Sequence, residues 1–204
     1  MKRILLTCFM LILLPMSLDA RRNGEGFFVG IGSGITYYDD NGLVSDLNGN
    51  GGNYDMNSVS GAYKLYLGYK FNHEVTLEGS FTGYGVYDIK NSGSTTERLA
   101  PKSTAVYLNY GYDLWHDQIR PFVIVGAGVL WLDPQENTLY DNSLFLSLHY
   151  GLGLLYTPHR FDGWGLRAAY EADWSQFDAK RELGVGGSYD AIIGTLYLGV
   201  EYKF

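Results

Sequence analysis

Read as eight β-segments, this chain sorts its charges onto a single side-chain parity. The segments run 26 to 38, 58 to 71, 74 to 87, 103 to 114, 119 to 132, 143 to 156, 164 to 176 and 188 to 204. One set of alternate positions is apolar: Phe27, Val29, Ile31, Ile35 and Tyr37 in the first segment, Tyr63, Leu65, Leu67, Tyr69 and Phe71 in the second, Ile192, Leu196, Leu198, Val200, Tyr202 and Phe204 in the last. The opposite set holds Lys64, Glu78, Arg167, Glu171, Asp173 and Glu201, interleaved with Gly30, Gly32, Gly34, Gly126, Gly128, Gly151 and Gly153. A period of two is the signature of strands whose faces meet different surroundings. A soluble eight-stranded barrel would hide its apolar face inside, but side chains as bulky as Tyr63, Leu65 and Phe71 would overfill so narrow an interior. The apolar face therefore points outward into lipid, and the glycine-rich charged face lines a crowded lumen. The fold class implied is all-β: an eight-stranded antiparallel up-and-down transmembrane β-barrel.

Connection lengths and aromatic placement point the same way. Asn72-His73, Trp115 to Gln118 and Thr157 to Gly163 are short, whereas 39 to 57, 88 to 102, 133 to 142 and 177 to 187 are longer. Short periplasmic turns alternating with long outer loops are usual in bacterial barrels, which puts both termini on the periplasmic side. Tyr69, Phe71, Tyr110, Tyr156 and Trp164 collect near the short-turn rim, and Tyr37, Tyr87, Trp131 and Trp174 toward the long-loop rim. Two aromatic belts around an aliphatic band match the depths of lipid headgroups.

Residues 1–20 read as a secretory signal: Lys2 and Arg3, an apolar run from Ile4 to Leu14, and a cleavage site at Leu18-Asp19-Ala20. Residues 21–204 then form one barrel domain. Cys8, the only cysteine, lies in the signal run, so thiol and disulfide chemistry are not expected. After residue 20 no run reaches the roughly 20 apolar residues of a spanning helix. With 15 Lys and Arg against 22 Asp and Glu, a formal net charge of −7, nucleic acid is not an expected partner.

The segments FFVGIGSG (27 to 34), VTLEGSF (75 to 81), RPFVIVGAGV (120 to 129) and YLGVEYKF (197 to 204) carry a resemblance to small eight-stranded outer-membrane barrels. The group is the outer membrane protein beta-barrel domain family, which includes the transmembrane domain of outer membrane protein A. The last segment resembles that family's assembly signal, with Tyr197, Gly199, Tyr202 and Phe204 at the matching positions. The resemblance implies recognition by the barrel-assembly machinery and residence in the bacterial outer membrane among its lipids and lipopolysaccharide. The chain stops at Phe204, so the peptidoglycan-binding domain of larger relatives is not expected.

Six inward charges, Lys64, Glu78, Arg167, Glu171, Asp173 and Glu201, form the candidate lumenal network. Buried charges must be paired or hydrated, and Arg167 with Glu201, on neighbouring strands at similar height, is the expected pair. The network reads as a plug in preference to a gated pore, because side chains can fill an eight-stranded interior. DLNGNGGNYDMN at 46 to 57 approaches a calcium loop, but Asn57 replaces the closing bidentate glutamate, so ordinary Asn-Gly turns are the better account. His73, His116 and His159 fall in short turns as rim residues. His149 points into the lumen two residues after Ser147, an order and orientation unlike the lipid A deacylases among barrels that this chain resembles. Neither GIGSG at 30 to 34 nor GVGG at 184 to 187 opens a helix, so neither is a phosphate loop. Lys90, Arg98, Lys102, Lys180 and Arg181 read as solvated loop charges before lipopolysaccharide ligands.

The expectation is thus a monomeric integral outer-membrane barrel without cofactor or metal, with a plugged polar lumen and a structural or surface-contact role, and not an enzyme. A narrow pore for small solutes or ions is the first alternative, and a lipid A-modifying barrel enzyme the second.

Overall fold

The computed structural model describes residues 25–39, 41–42, 48–49, 54–58, 60–91, 94–132, 144–178 and 188–204. Eleven strands are present among them: β1 (Gly26–Asp39), β2 (Tyr54–Ser58), β3 (Ala62–Lys70), β4 (Val75–Gly83), β5 (Tyr87–Asn91), β6 (Ser94–Leu99), β7 (Lys102–Gly111), β8 (Ile119–Trp131), β9 (Leu144–Tyr156), β10 (Trp164–Asp178) and β11 (Ser188–Lys203). Eight of them close into an antiparallel barrel in the order β1-β11-β10-β9-β8-β7-β4-β3. Closure is made by β1 against β11, from Phe28↔Lys203 to Asp39↔Ile192. A closed ladder leaves no edge, as a wall in hydrocarbon requires.

Strand exposure alternates along most of the wall. Ile31, Leu65, Leu67, Val106, Leu108, Val123, Leu152 and Leu198 face outward and are exposed, while Lys64, Tyr66, Glu78, Tyr107, Ile124, Glu171 and Tyr197 face inward and are buried. The packed core is therefore the lumen itself, centred on Phe28, Tyr66, Tyr107, Phe122, Ile124 and Tyr197. Glycine makes space for these rings: a Cβ on Gly30 would lie 2.3 Å from Tyr66 Cζ, and one on Gly32 would lie 2.6 Å from Tyr197 Cδ2.

The short turns are built by local chemistry. Asn72 Oδ1 accepts the backbone N–H groups of Glu74 (2.8 Å) and Val75 (2.7 Å), closing the β3–β4 hairpin. Between β7 and β8, Trp115, His116 and Asp117 all take positive φ, at 48°, 57° and 64°. At the rim, Trp164, Tyr202 and Phe204 stack edge to face, with Trp164–Tyr202 centroids 5.2 Å apart.

Two of the expected boundaries need correction. The segment 58 to 71 is divided between β2 and β3, and 74 to 87 ends as a barrel strand at Gly83. The chain bends at Gly85, whose φ is 81° and where a Cβ would lie 2.5 Å from Ser60 O. Beyond the bend, β2, β5 and β6 make a separate three-stranded antiparallel sheet. Parts of 39 to 57 and 88 to 102, read from sequence as loops, are thus a cap sheet. The signal segment, half of the calcium-like stretch, 133 to 142, Lys180, Arg181 and 184 to 187 lie outside the described residues.

Candidate functional site: the barrel lumen

A single chain of polar contacts runs the length of the lumen, assembled from strands on opposite sides of the barrel. Near the long loops, the Tyr84 hydroxyl donates to Asp173. Asp173 also accepts from Ser147 Oγ at 2.9 Å and meets His149 Nδ1 at 3.1 Å. The other imidazole nitrogen lies 3.1 Å from Glu171, and Glu171 is ion-paired with Lys64 and accepts from the Tyr197 hydroxyl at 2.5 Å. Arg167 links this layer to the next, with Nη2 3.6 Å from Glu171 and Nη1 2.8 Å from Glu78. Asn109 then bridges, donating to Glu78 at 2.6 Å and accepting from Arg120 at 2.9 Å. At the short-turn end Asp113 lies 3.7 Å from Arg120, 3.3 Å from Lys70 and 3.1 Å from His73.

The six residues singled out in the sequence occupy this lumen, and the expected ion pair of Arg167 with Glu201 is present, but Arg167 has a closer partner across the barrel. Glu201 stands 3.8 Å from Arg167, whereas Glu78, across the barrel on β4, is within hydrogen-bond distance. Register explains this: Arg167 is level with Gly199 on β11, and Glu201 is level with Gly165, so the neighbouring pair is staggered. The Arg167 guanidinium also lies over the rings of Phe122 (4.4 Å) and Tyr66 (4.8 Å), contacts that favour a desolvated cation. Tyr84, Asn109, Arg120 and Asp113 were not singled out. For all four the signal was available, since each continues the inward parity of its strand.

The two ends of the lumen differ in openness. Toward the long loops Tyr84, Leu99, Leu130, Leu132 and Ile193 are completely buried, and Tyr87 packs on Tyr38 with centroids 5.5 Å apart. Toward the short turns a cavity of about 470 Å³ is lined by Lys70, Glu78, Asp113, Arg120, Arg167 and Glu201, among others. Outside the barrel, in the cap sheet, Arg98 Nε donates to Asp88 at 2.7 Å. That bond holds the Asp88 carboxyl below the ordinary aspartate range and raises the Arg98 guanidinium.

Ser147, His149 and Asp173 do not form a nucleophilic relay. The carboxylate sits between serine and histidine, the serine proton is directed at Asp173, and both ring nitrogens are engaged by carboxylates. A nucleophile needs its histidine as immediate base. The four candidate assembly residues split by parity: Tyr197 and Gly199 face the lumen, while Tyr202 joins the rim stack beside Phe204.

The sequence profile of the outer membrane protein beta-barrel domain family matches residues 6–204. The chain belongs to that family. Similar solved structures include Neisserial surface protein A, with TM-score 0.55 and 15% identity over 88% of this chain and 97% of that one. The outer membrane protein OprG from Pseudomonas aeruginosa follows at TM-score 0.54 and 12% identity, covering 88% and 96%. Ail, the attachment invasion locus protein of Yersinia pestis, solved with the heparin analogue sucrose octasulfate, has TM-score 0.50 and 18% identity, covering 88% and 99%. At these identities the shared property is the fold. No curated protein matches this family member in sequence. Its family and its lipid-facing wall make it an integral barrel of the bacterial outer membrane.

Proposed function

We propose that the protein is a plugged outer-membrane barrel, monomeric and without catalytic activity, that serves envelope structure and displays its long loops for surface contact. The observation that carries this reading is the layer of Lys64, Glu171, His149 and Asp173, buried between Tyr107, Tyr197 and Tyr84. An ion crossing the lumen would have to separate Lys64 from Glu171 in a site with almost no water, where opposite charges attract strongly. Alternating connection lengths support an orientation with the long loops outside and both termini in the periplasm. Tyr197, Gly199, Tyr202 and Phe204 are the segment that the assembly machinery would read. The surface-contact role draws support from the likeness to Neisserial surface protein A and to Ail. Of the loop cations that could meet lipopolysaccharide, Arg98 is already engaged by Asp88.

A second reading, a narrow pore, is favoured by one feature, the cavity that reaches Arg167 from the short-turn side. Planar-bilayer recording separates the two. The plugged barrel gives no steady ohmic steps in 1 M KCl, whereas stable steps of uniform size from the wild-type protein would establish the pore.

A further inference from the structure

The outer surface carries a continuous groove that the lumen does not explain. Ala168 on β10 and Ser33 on β1 are small residues at lipid-facing positions, and Ile31, Leu154, Leu198 and Val200 stand around them. The result is a trough of about 630 Å³. At the short-turn rim a second hollow, of about 550 Å³, is lined by Gln118, His159, Arg160, Phe161 and Trp164. The two share Tyr156, Leu166 and Val200, so one groove runs from the rim into the aliphatic band.

Charge at its mouth is one-sided. Arg160 is the only formally charged side chain lining the rim hollow, and among the described residues it makes no ion pair. Asp162, two residues further along the turn, lines the lumen cavity and not the hollow, while His159 and Phe161 stand between the two and border both. Gln118 Nε2 donates to His159 Nδ1 at 2.6 Å, which leaves the opposite ring nitrogen as an N–H donor. An anion at the mouth therefore meets a guanidinium and an imidazole N–H, at the depth where Trp164 and Tyr156 mark the headgroup layer.

We propose that this groove holds one anionic glycerophospholipid. Its phosphate lies against Arg160 and His159, and an acyl chain follows Leu166, Val200 and Leu198 over Ala168. The inference rests on the lipid-facing reading of the outer wall. Free phosphate would use only the mouth and leave the trough empty, and a second barrel would have to bury the unpaired Arg160, which is costly.

The test is native mass spectrometry of the barrel released from nanodiscs containing equal phosphatidylglycerol and phosphatidylcholine. The wild-type protein retains phosphatidylglycerol over phosphatidylcholine by about tenfold, because the quaternary ammonium of phosphatidylcholine offsets the attraction of its phosphate to Arg160. R160Q, an exchange at an exposed turn position, brings the ratio close to one while lipid is still retained. A168W fills the trough and removes both lipids from the folded, heat-modifiable species. Equal retention by the wild type, an unchanged preference in R160Q, or a dimer in place of the lipid adduct each overturns the proposal. If A168W does not fold, R160Q decides alone. The two leaflets of the disc are identical, so the outcome is independent of which rim faces the periplasm, and a wall that did not face lipid would fail at insertion.

Discussion

The long-loop half of the lumen and its short-turn half are built on the same inward parity, yet one is solid and the other hollow. In the long-loop half the inward positions carry Tyr107, Tyr197, Leu130 and Ile193, and Tyr84 closes over them beneath the cap sheet. In the short-turn half Gly111 and Gly165 alternate with long cations, Lys70, Arg120 and Lys203, whose flexible stems leave a cavity of about 470 Å³. The same kind of ion pair has different consequences in the two places. Lys64 and Glu171 are both 1% exposed, whereas Lys70 is 17% exposed and its partner Asp113 10%. Water can replace a lost partner in the second case and not in the first.

The largest expected effect follows from that contrast. Lys64→Met removes one member of a desolvated pair and leaves Glu171 with the Tyr197 hydroxyl, His149 and the more distant Arg167, so unfolding in urea from lipid vesicles should lose about 3 to 5 kcal/mol. Lys70→Met leaves Asp113 with Arg120, His73 and solvent, and should cost at most about 1 kcal/mol. Equal losses from the two variants would mean that the halves are equally hydrated and the plug is not dry.

How much of this contrast the sequence discloses depends on which distance each feature spans. Parity along a strand is a local property, so the outward row of Ile31, Leu65, Leu198 and Val200 and the inward placement of Lys64, Glu78 and Glu171 can be read directly. Which inward charges meet is set by stagger between strands and by reach across the lumen. Arg167 on β10 finds Glu78 on β4, and Lys64 on β3 finds Glu171 on β10, none of them neighbours in the wall. Adjacency reasoning could only suggest Glu201. The cap sheet was illegible for a different reason: Tyr54–Ser58, Tyr87–Asn91 and Ser94–Leu99 are short and polar, without an alternation to set them apart from turns. The phospholipid groove was equally hidden, because Ala168 and Ser33 look like weak points in an apolar row until Leu154 and Leu198 are seen beside them.

A middle-sized effect is accessibility. With Cys8 replaced, Leu155→Cys places a thiol in the lining of the short-turn cavity, and Ser103→Cys places one in the sealed half, where Ser103 is completely buried. A charged maleimide should modify the first at least tenfold faster in detergent, since only a thiol that water reaches can ionise and react. In intact cells a reagent too large for outer-membrane pores should leave Leu155→Cys unmodified until the membrane is permeabilised. Equal rates in detergent would dissolve the distinction between the halves, and labelling in intact cells would reverse the proposed orientation.

The smallest effect concerns the three-stranded sheet beyond the solid half. Arg98 donates two hydrogen bonds to Asp88, at 2.7 and 3.3 Å, on a part of the cap sheet that solvent reaches, so the pair contributes little to barrel stability but leaves a clear mark on titration. The bond favours the ionised carboxylate, which places Asp88 below its ordinary value of 3.8. A lowered carboxylate contributes its stabilisation in full above that ordinary value and loses it as the pH falls through the lowered one. The cap should therefore be indifferent to pH from neutrality to about pH 4 and loosen only below it. Carbon-detected NMR should find the Asp88 midpoint under 3.8 in the wild type, and Arg98→Gln should return it to the ordinary value while Glu171 and Asp173, sealed beneath, give unchanged signals. If Arg98→Gln moves those lumenal signals as well, the cap and the plug are one cooperative unit, and the boundary that separates the closed half from solvent lies lower in the barrel than Tyr84.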